Sequence, residues 1–168
     1  LAAALAGIPL FFGGFGSLFG GMVSSRLIAR GASVTVVRRS CGFVGLTGAA
    51  TLLMAAFYIH DPLLAMLSMG FASFFNDLTM PGSWATCMDI GGRYSGTVSG
   101  SMNMMGNFGG MAGPIVVGLV LSLTGRDWQL AFAISSVIYF LGAVCWLFID
   151  PVTPLERPAD VARPASTT

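Results

Sequence analysis

Charged residues divide this chain into long uncharged stretches. Residues 1–25 carry no charge and end at Arg26. Residues 41–59 are again uncharged, with Arg38 and Arg39 before them and His60-Asp61-Pro62 after. A third run extends from Pro62 to Met88, interrupted only by Asp77. The fourth covers 94–125 and the fifth 128–149, which closes on Asp150-Pro151. A bilayer crossing takes about 20 apolar residues per helix. Backbone in hydrocarbon must satisfy its own hydrogen bonds, and continuous runs of this length do so as helices. The pattern predicts an all-α membrane protein with five transmembrane helices, at about 1–25, 36–59, 62–88, 94–123 and 128–149.

The arginines orient these spans. Arg26, Arg30, Arg38 and Arg39 fall between the first and second, Arg93 between the third and fourth, and Arg157 and Arg163 after the fifth. If five spans alternate, all of these share one side and only Arg126 lies opposite. The positive-inside rule makes the arginine-rich side cytoplasmic and puts the C-terminus there. Residues 150–168 hold four prolines and few apolar groups, which predicts a disordered cytoplasmic tail.

Composition agrees with a membrane protein. The chain is 55% apolar and 9% charged, and has no lysine; its mean hydropathy is +0.81. Soluble domains are about a quarter charged. The scattered charges form no basic stripe, so no nucleic-acid partner is expected. Cys41, Cys87 and Cys145 lie in apolar runs at no zinc spacing, and His60 stands alone beside a loop, so no metal or cofactor is expected. No nucleophile–base pair points to an enzyme. The chain opens on Leu1 inside an apolar run with no charged leader, and reads as an internal or C-terminal piece of a longer product.

The fourth run contains SGTVSGSMNMMGNFGGMAGPIVVG. On a helix, Gly96, Gly100, Asn103, Asn107, Gly110 and Pro114 share one face, flanked by Ser99, Gly106 and Gly113. Three G-x-x-x-G spacings (96/100, 106/110, 109/113) predict close helix packing there. Two readings of the amides stand side by side. Asn103 and Asn107 either bridge helices as packing contacts, or enter a central pocket, where an amide both donates and accepts.

The third run reads FASFFNDLTMPGSWATCMDIGGRY. Asp77 lies about 22 Å along a helix that starts at Pro62, deep in the bilayer. Pro81 cannot donate to the carbonyl of residue 77, so a kink is expected there. An acid at a broken intramembrane helix is a candidate site. The alternative is a buried acid bonded to Asn76, Thr79 or freed backbone groups. Trp84 shares the Asp77 face about 10 Å further on, as a cavity wall or an interfacial anchor.

These residues carry a family resemblance. GGMVSSRLIARG, residues 20–31, resembles the second copy of the loop motif of the major facilitator superfamily, between its helices 8 and 9. SWATCMDIGGRYSGTVSGSMNMMGNFGGMAGPIVVG, residues 83–118, resembles helices 10 and 11 of its anion:cation symporter family. Hexuronate, galactonate and glucarate permeases, sialin and the vesicular glutamate transporters belong to that family. The resemblance covers residues 1–150 as helices 8 to 12, part of a C-terminal six-helix bundle.

The resemblance implies secondary active transport of a small organic anion, a sugar acid or related carboxylate. It implies proton-coupled symport by alternating access, in a bacterial inner membrane. It makes Asn103 a substrate contact and Trp84 a wall of the same cavity; Asp77, Asn76, Ser99 and Asn107 are further cavity candidates from their own positions in the spans. It makes Arg26 and Arg30 parts of a cytoplasmic gate, with Asp89 as the inferred partner and Arg93 at the same end. Ser25 stands where the motif usually has an acid, which weakens that network. Helix 7 and the N-terminal half, which hold the family's coupling carboxylates and a substrate arginine, lie outside this sequence. The chain alone is not expected to transport. The alternatives are an efflux or neutral-sugar transporter of the same superfamily, or a non-transporting membrane scaffold.

Overall fold

A computed structural model of the chain describes residues 2–125 and 127–156. It is built of helices: α1 Ala2–Ala29, α2 Val34–Tyr58, α3 Pro62–Asp77, α4 Met80–Gly91, α5 Ser95–Leu123 and α6 Trp128–Phe148. A single 3₁₀ turn, Gly92–Tyr94, joins α4 to α5. Local chemistry sets these limits. Pro62 occupies the first turn of α3, and Asp61 accepts from the Leu63 and Leu64 amides at 2.9 Å. Asp127 caps α6 the same way through the Gln129 amide at 2.8 Å. Gly92, at φ 49°, takes a left-handed conformation that lets the chain reverse.

Length and hydropathy mark four stretches able to cross a membrane, and one of them, Pro62–Leu123, spans 62 residues. Straight, it would reach about 93 Å, three times a hydrocarbon core. It doubles back at the 3₁₀ turn, and α4 packs against α5. The five expected crossings therefore appear as α1, α2, α3 with α4, α5, and α6.

The predicted break lies where Pro81 puts it. α3 ends at Asp77 and α4 begins at Met80, with Pro81 in its first turn. The carbonyl of Asp77, which Pro81 cannot serve, accepts instead from the Ser17 hydroxyl of α1 at 3.4 Å.

α2 is central, with α3 on one side and α6 on another, while α1 packs onto α3. Small residues make this approach possible, as in other membrane bundles. Gly13, Gly16 and Gly20 of α1 face Asp77, Phe74 and Leu78; a methyl at Gly16 would overlap the Phe74 carbonyl. Gly45 and Gly48 of α2 face Phe75, and Gly42 faces the Trp146 ring of α6. The buried apolar side chains are small (Ala49, Ala50, Ala56, Ala72, Ala131 and Ala143 among them), with Trp146 the large exception.

α5 stands apart from the other helices. It has no buried residue among those described. Methyl groups built on Gly96, Gly100, Gly106, Gly110 and Gly113 would meet nothing within 4 Å. Inside this chain the small-residue contacts belong to α1 and α2, and the glycine face of α5 is left open.

The expected disordered tail needs correction over 150–156. Asp150 accepts from the Val152 and Thr153 amides and from the Thr153 hydroxyl, which forms a tight turn. Pro151 is fully buried, and the Leu155 amide donates to the Ile90 carbonyl at 2.9 Å. Residues 157–168 lie outside the described residues.

Candidate functional site

Three groups of candidate residues occupy different levels of the bundle. At the break between α3 and α4, the Asn76 amide donates to Asp77 Oδ1 at 2.7 Å. Asp77 Oδ2 lies against Gly13, so close that a methyl there would displace it. Thr79 turns its hydroxyl to the Asn76 carbonyl at 2.8 Å rather than to Asp77. Asn76 also lines a cavity of about 110 Å³ together with Pro9, Ser73 and Tyr139. At the break Asp77 thus bonds to Asn76, and Asn76 in turn lines a small, partly open cavity between α1, α2, α3 and α6.

The second group lies on the open side of α4 and α5. Trp84 is 40% exposed and shares its face of α4 with exposed Met80 and Met88. Asn103 is exposed on α5, and its side chain makes no hydrogen bond among the described residues. The Asn107 amide is directed back to the Asn103 carbonyl of its own helix at 2.8 Å. Where α4 and α5 touch, Cys87 Sγ meets Met102 Sδ at 3.3 Å. Ser99 is half-buried and bonds to no other group among those described. Trp84 and the amides are therefore presented outward, and no described contact joins them.

The third group closes the end where α1, α4 and α6 finish and α2 begins. Asp89 was expected to meet Arg26 or Arg30. It pairs instead with Arg38 of α2, Nη2 to Oδ2 at 2.5 Å. The reason is positional: Arg38 is one turn inside α2, 7% exposed, with its stem alongside Gly82 of α4. Its Nη1 donates to the Pro151 carbonyl at 2.8 Å, and Arg39 Nε donates to the Ile149 carbonyl at 2.8 Å. Arg26 and Arg30 are exposed and join no ion pair among the described residues.

Arg93 pairs with Glu156 and lies over the Tyr94 ring, 4.8 Å from its centroid. The Tyr94 hydroxyl, and next Glu156, hold its guanidinium above the usual arginine range. Sequence reasoning missed Arg38 as the joint. The available signal was its place one turn into α2, opposite an acid one turn from the end of α4.

A broken crossing that carries an acid, a polar open helix face and an arginine joint at one end define a helical membrane bundle. The Major Facilitator Superfamily profile matches residues 1–167, and the chain belongs to that family. It is similar to a probable sulfoacetate transporter of Cupriavidus necator, 32% identical over 160 residues that make up 95% of this chain and 37% of that protein. It is 26% identical over 172 residues to a probable galactarate/D-glucarate transporter of Pseudomonas putida, covering 97% of this chain and 37% of that protein. Vesicular glutamate transporter 1 of Bos taurus is 32% identical over 129 residues, 74% of this chain and 23% of that protein. The chain thus spans little more than a third of the curated relatives it matches at greatest coverage.

Proposed function

We propose that this chain forms part of the carboxyl-terminal bundle of a secondary active transporter for small organic anions. Its substrate is a sugar acid or related carboxylate, moved by alternating access and driven by an inward cation gradient, protons in the first place. The observation that carries this reading is the open face of α4 and α5, where an aromatic wall at Trp84 and the unspent amide of Asn103 both point away from the bundle. An amide both donates to a carboxylate and accepts from a hydroxyl, which suits a hydroxylated acid. The matched relatives are named for sulfoacetate, galactarate or glucarate, and glutamate, all organic anions.

Alternating access rocks two bundles about a site near the midplane, and the remainder of the full-length protein supplies the opposing bundle. The arginine-rich end faces the cytoplasm of a bacterial cell, by the positive-inside rule. There the Arg38–Asp89–Pro151 joint ties α2, α4 and the end of α6 together as one body that moves as a unit. The test is uptake by the full-length protein in right-side-out and inverted vesicles. Labelled hexuronate, aldonate, aldarate, neutral hexose and lipophilic cation would be compared with and without a pH gradient. Uptake of an acid driven by inward protons supports the reading. Transport of only the hexose or the cation overturns it.

A further inference from the structure

The break between α3 and α4 gathers more negative potential than the described residues neutralise. Asp77 is the last residue of α3, so its carboxylate adds to the negative end of that helix dipole. Its own carbonyl has lost its helical donor to Pro81 and is served only by a long 3.4 Å bond from Ser17. Gly13 and Ser17 are one turn apart on α1, so carboxylate and carbonyl face the same helix.

The neighbours bring no positive charge. α1 presents Gly13 and Ser17, α2 presents Gly45 and Gly48 to the adjoining Phe75, and α4 begins with Met80 and Pro81. Tyr139 of α6, across the cavity from Asn76, is the one titratable neighbour among the described residues. Neither ion pair among the described residues includes Asp77. An uncompensated carboxylate in a bilayer is costly, and such groups pair or bind ions.

We propose that this break is a binding site for a small monovalent cation, a proton or a sodium ion, held by the Asp77 carboxylate, the Asp77 carbonyl and the Ser17 hydroxyl. One carboxylate balances one positive charge. Hard oxygen donors from an unwound helix end suit such an ion, whereas no cluster of three His, Cys, Asp or Glu side chains forms among the described residues. The absence of a Cβ on Gly13 leaves Oδ2 its place. Asn76, which donates to Asp77 Oδ1, also lines the cavity of about 110 Å³, so water held there reaches Asp77 through that amide. The site deepens the transport reading by placing an ion-binding carboxylate in this half of the molecule, and it is tested without substrate so that the two fail separately.

The experiment uses the purified full-length protein in detergent with no anion present. One arm measures binding of radioactive sodium. The other follows the protonated-carboxyl infrared band through a pH titration. Saturable sodium binding that weakens at least about tenfold in Asp77→Asn assigns sodium. No sodium binding, with a carboxyl band that disappears in Asp77→Asn, assigns the proton. Neither signal in the wild type, or both unchanged in Asp77→Asn, overturns the proposal. If Asp77→Asn does not fold, Ser17→Ala decides. It keeps the carboxylate and removes one ligand, so a several-fold weaker sodium affinity or a shifted band supports the site, and identity to wild type in both arms overturns it.

Discussion

Arg38 and Asp89, 51 residues apart in sequence, meet at 2.5 Å where α2 and α4 end the bundle. The arginine is buried and the carboxylate half exposed. Its second nitrogen holds the Pro151 carbonyl at 2.8 Å, so one planar guanidinium ties two helices to the strand of chain that leaves α6. A fork of fixed geometry can hold two acceptors at once in a way a single ammonium cannot.

Replacing Arg38 therefore loosens the whole end. Arg38→Ala should destabilise the full-length protein by about 2–3 kcal/mol, since a charged hydrogen bond goes and a buried carbonyl is left without its donor. Arg38→Lys should recover no more than part of this, because it serves one acceptor at a time. Thermal unfolding in detergent gives the comparison. A midpoint unchanged in Arg38→Ala would show that the joint carries no stability.

Glycines separate by helix rather than by motif. Gly16→Val should bring side-chain atoms into the Phe74 backbone, which cannot yield as a flexible side chain can. A cost of about 3 kcal/mol, seen as poor monodisperse yield, is expected. Gly110→Val meets no other group of this chain. Its unfolding midpoint should stay close to wild type, and any damage should appear in uptake. Equal loss of yield in the two variants would mean that the Gly110 face is covered in the folded protein.

The crossings were legible because charge is costly in lipid, so Arg26, Arg38 and Asp61 mark the ends that the structure shows within a few residues. The break was legible from Pro81, and the Asn76–Asp77 bond from adjacency. The arginine joint was not, because sequence alone does not separate a buried arginine such as Arg38 from exposed ones such as Arg26 and Arg30. The α1 contacts were missed, although Gly13, Gly16 and Gly20 share a helix face. The more crowded glycines of α5 meet no partner inside this chain, where their face is open. Residues 150–156 looked like tail because prolines dominate. The informative feature was Asp150 three residues before Thr153, the spacing of a side-chain-capped turn.

That turn makes acid sensitivity local. Hydrogen bonds to Asp150, first from the Thr153 hydroxyl and then from the Val152 and Thr153 amides, hold its carboxyl below the usual aspartate range. A depressed folded value stabilises the turn fully above the unfolded value, about pH 3.9, and the contribution is lost as pH falls through the folded one. Protection of the Val152 and Thr153 amides, measured against their intrinsic exchange rates, should hold down to about pH 4 and be lost below it. Thr153→Val should move the onset upward. An onset that does not move would assign the protection to the Arg38–Pro151 bond alone.

Asn103 and Asn107 make the sharpest contrast on the open face. Asn103 is exposed with its amide unspent, and alanine is the better helix former, so Asn103→Ala should change stability by no more than about 0.5 kcal/mol. If it hydrogen-bonds the transported anion, its loss should reduce kcat/KM for uptake by about 10- to 100-fold, the effect of one substrate hydrogen bond of roughly 1.5–3 kcal/mol. Asn107 already spends its amide on the Asn103 carbonyl. Asn107→Ala should therefore cost less in transport, about threefold or under. Uptake and unfolding would be measured side by side for both variants of the full-length protein. Wild-type uptake in Asn103→Ala would remove the substrate role and leave the amides as contacts to a neighbouring helix. A larger transport loss in Asn107→Ala would put the substrate one turn further along α5.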